Sequence, residues 1–245
     1  PAYQLWFKGQ LNNPVLTGLE FMEEHFLGPQ VIQPIISGFF YKIFGLSLFT
    51  GRGVTLLMAL ATLWVFYRLL KFERLPEFFI LSGIILLATD NIFFYYARTI
   101  RAEIFVTFFA VLSFYYLYKA IVNNHTPTFM LAGLLAGWGA VTHPVFTLFL
   151  AALMVILLSE YKFSFFKTKN VWLYTLFVFL GLLPYFIYLF YQDWGNGLSH
   201  FWTQMKSHVT QSETGYWSKF WLDELSRYAK YTVFPFRLPI VIPQI

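Results

Sequence analysis

Apolar residues in this chain come in long unbroken runs that stop at short polar joints, rather than alternating or repeating along one face. A bilayer core of about 30 Å takes roughly 20 apolar residues in a helix, so such runs predict membrane crossings. The first covers about Gly53 to Leu70 and closes in a tight charged connection, Lys71-Phe72-Glu73-Arg74-Leu75-Pro76. A second runs from about Phe78 to Tyr96. A third follows the joint Arg98–Glu103 and reaches about Val122, before Asn123-Asn124-His125-Thr126-Pro127. The last full run is about Val171 to Tyr191.

Between them lies Thr128 to Leu158, which as one helix would extend about 46 Å at 1.5 Å per residue. That exceeds one crossing unless the helix is strongly tilted. Split at His143-Pro144, it becomes a hairpin of two short arms. Gly133, Ala136, Gly137, Gly139 and Ala140 on the first arm allow a neighbouring helix to approach closely.

The flanks read differently. Pro1 to Gly45 mixes Trp6, Phe7, Phe21 and Phe26 with Glu20, Glu23, Glu24 and His25, so it is expected to lie along the membrane surface, the glutamates forming a solvated face. Within it, Gln33 to Phe44 reads as a short aromatic helix ended by Gly45, followed by a turn and Arg52. Gln192 to Arg237 is polar and long enough to require local helices of its own. The expected organisation is an external segment 1–52, a transmembrane domain 53–191, an external loop 192–238, and a further transmembrane helix beginning at 239–245. Starting at Pro1 without a Met, the chain reads as a piece of a longer protein.

Composition fixes the class. Hydrophobic residues are 58% of the 245, aromatics 22%, and mean hydropathy is +0.59, against roughly 45–50% apolar in soluble domains. The fold class is all-α, a polytopic transmembrane helical protein with about six visible spans and surface helices on its external side. The net charge of +5 is scattered among apolar runs, with no basic stripe suited to nucleic acid. There is no cysteine, which excludes disulfides and Cys-ligated metals. Arg68, Lys71, Arg74, Lys119, Lys162, Lys167 and Lys169 fall on one side of the membrane, and Arg52, Arg98 and Arg101 on the other. The richer side is expected to be cytoplasmic in an inner (plasma) membrane. The N-terminal segment, the Arg98–Glu103 joint, the His143 turn and the loop from Gln192 then converge on the external (periplasmic) face.

With only 12% charged residues in the chain, Arg98, Arg101 and Glu103 in one short joint need an interface or a wet cavity. Arginine suits phosphate, because its planar fork donates two hydrogen bonds and stays charged. Arg98 and Arg101 would share a face if the joint is helical. The plain alternative is that both snorkel to headgroups, with Glu103 as a salt-bridge partner. Glu103 could instead orient an arginine, help bind a divalent metal, or contact a sugar. His143 fits a ligand role or a cap before Pro144. The aromatics Phe93–Tyr96 and Phe114–Tyr118 read mostly as interfacial belt and lipid-facing surface. His200, His208, Asp193 and Asp223 lack metal-ligand spacing and read as loop surface.

Three stretches carry a resemblance. They are Gln33-Pro34-Ile35 through Phe44-Gly45 to Arg52; Ala97-Arg98-Thr99-Ile100-Arg101-Ala102-Glu103; and Leu131-Ala132-Gly133-Leu134-Leu135-Ala136-Gly137 through Thr142-His143-Pro144. In order and spacing the chain resembles the lipid-linked-sugar glycosyltransferases of the GT-C fold, which include protein O-mannosyltransferases and bacterial aminoarabinose transferases. These stretches are similar to that family's His/Lys-Pro-Pro-Leu segment, its Arg-x-Asp/Glu motif, and its Gly-rich helix ending in Thr-Lys/His-Pro. Gln33 stands where the family has a basic residue. The resemblance implies transfer of a sugar from a polyprenyl-phosphate donor at the external face, with Arg98, Arg101, His143 and Arg52 binding substrate. It also implies Glu103 as the catalytic-site carboxylate within the chain. The family's main acid lies in an Asp-Glu pair, and Pro1 to Gly9 resembles the text that follows it, so acidic residues are expected immediately upstream of Pro1.

Other classes fit part of the pattern. A non-catalytic subunit of a larger membrane complex would keep the same scaffold. A transporter or flippase would show paired broken helices in repeated halves, and the chain has no internal repeat.

Overall fold

Helix by helix, the ends are set by residues that satisfy backbone groups. In the computed structural model, which describes residues 6–8, 30–193 and 199, Ile32–Phe44 (α1) ends at Gly45, whose φ of 81° is open to glycine. Ser47 then caps Leu48–Phe72 (α2), its Oγ accepting from Thr50 N–H at 3.0 Å. The helix therefore begins five residues before the Gly53 expected from hydropathy.

The expected second run is broken. It forms Glu77–Thr89 (α3) and Asn91–Arg98 (α4), bent by 61° at Asp90. The Asp90 carboxylate accepts from Ile92 N–H at 3.0 Å and Phe93 N–H at 2.8 Å, so it starts a new helix where hydropathy shows a continuous one. Glu103–Asn123 (α5) ends at Asn124 in the left-handed conformation, one that Asn tolerates better than most residues. Thr126–Thr142 (α6) and Phe146–Tyr161 (α7) form the hairpin expected around His143-Pro144. A 3₁₀ turn over Lys162–Lys167 leads into Lys169–Asp193 (α8).

The described residues contain no strand. Against about six expected crossings, four helices are long and apolar enough to span a membrane: α2, α5, α7 extended to Lys167, and α8 to Phe190. The bent α3–α4 pair makes up to five. The count falls short of six because α6 has only 17 residues; it lies within the bundle, with Phe129, Ala132, Ala136 and Val141 buried. Its small residues do the packing. A Cβ on Gly133 would stand 2.3 Å from the Tyr174 carbonyl oxygen, so α6 and α8 meet backbone to backbone, as the glycine pattern led us to expect.

Around this contact Leu117, Phe129, Phe146, Leu153, Leu157 and Tyr174 form the main core. A second cluster joins Val54 and Ala59 on α2 to Phe93, Ala97, Ile104 and Phe105. This corrects the reading of two aromatics as belt residues. Phe93 is core, and Tyr115 is buried with an edge-to-face contact to Phe72 at 6.3 Å. Their neighbours Phe94 and Tyr95 do face outward, as do Trp64, Phe78, Leu86 and Phe179, which suits surfaces wetted by lipid.

At one end of the bundle, Asn170 Nδ2 donates to Asn124 Oδ1 at 3.0 Å while Thr126 Oγ1 donates to Asn170 Oδ1 at 2.9 Å, clipping α8 to the α5–α6 turn. At the other end, Val31 N–H donates to the Val141 carbonyl at 3.2 Å and fastens α1 to the end of α6. The expected loop 192–238 and the helix starting at 239 lie outside the described residues, apart from the last turn of α8 and Ser199, as do Glu20, Glu23, Glu24, His200, His208 and Asp223.

Candidate functional site

The joint between α4 and α5 is not helical. Thr99 is extended (φ −106°, ψ 142°), and Arg101 N–H donates back to Thr99 O at 2.9 Å before Ala102 turns into α5. Arg98 and Arg101 therefore do not share a helical face, the condition on which their pairing was expected. Each takes its own aromatic seat. Arg98, the last residue of α4, lies over Phe94 at 4.9 Å, four residues back along the same helix, and Arg101 lies over Tyr96 at 5.6 Å.

Arg101 also forms an ion pair with Glu103. Both side chains reach solvent, Arg101 at 53% and Glu103 at 25% relative exposure, so the pair adds little to stability. Its effect is geometric: between the Tyr96 ring and the Glu103 carboxylate, the guanidinium has a fixed direction. Partial burial alone would lower the Arg101 pKa, but the hydrogen bond and charge of Glu103 outweigh it, so the net shift is upward and the group stays cationic. Glu103 sits in the first turn of α5, where the helix dipole favours a carboxylate.

His143 comes from the α6–α7 turn. It caps α6 in an extended conformation, and its Nδ1 accepts from Val145 N–H at 3.2 Å, so the neutral ring carries its proton on Nε2. Its pKa is lowered by burial first; Glu103 pulls it up and Arg101 pushes it down. Both charges of the joint are thus felt at a ring forty residues further along the chain. The sequence-expected cap and the sequence-expected neighbour of the arginines are the same residue.

Arg52 stands exposed in the first turns of α2, without a side-chain hydrogen bond or ion pair among the described residues. Its neighbour Gly51 fixes where it stands. A Cβ there would meet Ile100 Cδ1 at 2.4 Å and Tyr41 Oη at 2.5 Å, so α1, α2 and the joint converge at that glycine. Tyr41 is buried, and desolvation raises its phenol pKa. Val31, Val141, Tyr185 and Leu189 close the same end of the bundle from the α1, α6 and α8 sides.

Sequence reasoning missed the aromatic seats, although Phe94 four residues before Arg98 was a readable spacing. It also missed Trp6. The indole donates to Ile35 O at 3.0 Å, lies over Gly38 and receives Lys42 at 5.7 Å, so it docks the N-terminal segment on α1. A side chain at position 38 would collide with it: a Cβ there would be 1.7 Å from Trp6 Cδ1. Among the described residues, no group of three or more His, Cys, Asp or Glu side chains is placed to hold a metal ion.

Comparison with curated proteins and with solved structures gave no match. Residues 29–188 match the family model of the dolichyl-phosphate-mannose-protein mannosyltransferases. That span holds Arg52, Arg98, Arg101, Glu103 and His143 and runs from the start of α1 to near the end of α8. The chain belongs to the dolichyl-phosphate-mannose-protein mannosyltransferase family, membrane glycosyltransferases of the GT-C type that draw on a lipid-linked sugar donor.

Proposed function

We propose that this protein transfers a sugar from a polyprenyl-phosphate donor to an acceptor at the membrane face that carries Arg101, Glu103 and His143, and that this face is the external one. The observation that carries the reading is the convergence of the Arg98–Glu103 joint with the His143 turn and the start of α2 at one end of the bundle. In the reaction the bond from the sugar's anomeric carbon to the donor phosphate breaks, and a bond from that carbon to the acceptor oxygen forms. The phosphate leaves with its negative charge, and the acceptor's proton passes to a carboxylate.

Arg101 meets the leaving phosphate. It is solvent-accessible, permanently cationic and already aimed, so little reorganisation is needed as charge develops on the phosphate. Arg98 and Arg52 add positive charge at the same end, and Arg98 is kept off Arg101 by its own stack on Phe94. Glu103 positions Arg101. His143, held neutral by burial, offers its Nε2 proton as a hydrogen bond to an anionic or hydroxyl oxygen.

The test is radiolabelled sugar transfer from polyprenyl-phosphate sugars in membranes containing the full-length protein, wild type against Arg101→Ala. A loss of about 100-fold at unchanged expression and thermal stability is expected, matching a transition-state contact of about 2.7 kcal/mol. Absence of transfer by the wild type from every polyprenyl-linked sugar tried would replace this reading with that of a non-catalytic subunit.

A further inference from the structure

At the opposite end of the bundle, the turn from α2 to α3 is built as a helix terminator of the kind that ordinarily uses glycine. Arg74 N–H donates to Lys71 O at 3.0 Å and Leu75 N–H to Leu70 O at 3.5 Å, the paired closure that leaves one residue in the left-handed region. That residue is Arg74, with φ of 55°. Glycine would sit there without strain, so the turn itself does not call for the arginine side chain.

Arg74 and Lys71 line one cavity of about 410 Å³ between α2 and α3. Lys71 Nζ donates to Tyr67 Oη at 3.2 Å and lies over that ring at 5.5 Å, so the ammonium is fixed at the cavity wall. Ile80 and Leu81 form the apolar side. Gly83 lets α3 lean in until its missing Cβ would be 3.1 Å from Leu70 Cδ1. Among the described residues, Glu77 is the single carboxylate on a lining that carries two cations. On the same stretch of α2, a helix long and apolar enough to cross a membrane, Arg68 stacks on Trp64 at 5.5 Å and that ring is 60% exposed, the pairing of basic and aromatic residues expected at headgroup depth.

A cavity lined by two cations, one of them held on Tyr67, and by an apolar side chain beside them matches one class of ligand, a phosphate joined to acyl chains. A soluble phosphate would leave the exposed Leu81 unused. We propose that the Lys71–Arg74 cavity binds an anionic phospholipid from the leaflet on this side, its headgroup phosphate between Lys71 and Arg74 and an acyl chain along Leu81. The site is separate from the Arg101 end and independent of the sugar-transfer reading.

The experiment is titration of the delipidated full-length protein in detergent with phosphatidylglycerol, phosphatidylethanolamine and phosphatidylcholine, read by native mass spectrometry. Two variants accompany it: Lys71→Gln, and Arg74→Gly, which keeps the turn and relieves its strain. Phosphatidylglycerol should bind in preference to the other two, and each variant should weaken it about fivefold, as expected for one basic residue at a membrane surface. Arg74→Gly should do so with a thermal midpoint equal to or above that of wild type. Equal binding of the three lipids, preference for phosphatidylethanolamine through Glu77, or an unchanged phosphatidylglycerol affinity in Arg74→Gly would each overturn the proposal. So would competition by glycerol 3-phosphate at the concentrations where the lipid binds.

Discussion

Gly137 on α6 and Gly181 on α8 face each other with nothing between them: a Cβ on Gly137 would lie 2.8 Å from Gly181 Cα and 2.4 Å from the Val178 carbonyl oxygen. Backbone stands on both sides of the gap, so a side chain has no flexible neighbour to push away.

Gly137→Ala is therefore expected to destabilise the protein by about 1–3 kcal/mol, despite the better helix propensity of alanine, worth about 1 kcal/mol. Gly137→Leu should prevent the folded bundle from accumulating. Thermal melting in detergent followed by size-exclusion chromatography checks both. An unchanged melt for Gly137→Ala would mean that α6 and α8 are not packed as described.

Glu103 acts through Arg101, and the two should behave as one unit. We expect Glu103→Gln to lower the rate of sugar transfer by about 10-fold, and Arg101→Ala with Glu103→Gln to be no slower than Arg101→Ala alone. Initial rates of the three variants measure the coupling. Fully additive losses would give Glu103 a role of its own at the substrate.

His143 supplies a pH dependence whose sign is set by its lowered pKa. Burial disfavours the charged ring in the folded protein, so between the folded value and the ordinary one of about 6.5 the unfolded chain binds more protons than the folded one. The contribution is complete above about pH 6.5 and is lost as pH falls through the folded pKa. Melting curves of wild type and His143→Gln, taken from about pH 7.5 down to about pH 5, should diverge on the acid side, with the wild type losing more. Parallel curves would count against a half-buried, neutral His143.

Most helices could be read from the apolar runs, because lipid imposes a length on a crossing and the polar joints mark its ends. The His143 hairpin and the α6 glycine face were also readable, one from excess length and the other from spacing. The bend at Asp90 was not. A single carboxylate inside an apolar stretch reads as a flaw in a span, whereas in the fold it accepts two backbone N–H groups and begins α4. Phe93 and Tyr115 were misplaced for a related reason: an aromatic at the membrane edge has the same identity whether it faces lipid or core, and only the neighbouring helices distinguish the cases.

The sequence by itself determined the class of the molecule, an all-helical membrane protein, and the cations of its polar joint, Arg98 and Arg101. Both follow from local chemistry, from how much apolar surface a segment carries and which side chains stay charged. Tertiary structure decided which of these residues work together. It broke the helical face that Arg98 and Arg101 would have shared and tied Arg101 to Glu103 and Tyr96. It also brought His143 within reach of the same charges. Backbone hydrogen bonding at Thr99 and the close approach of Ile100 to Gly51 fix that geometry, and these are contacts between segments that no local pattern encodes.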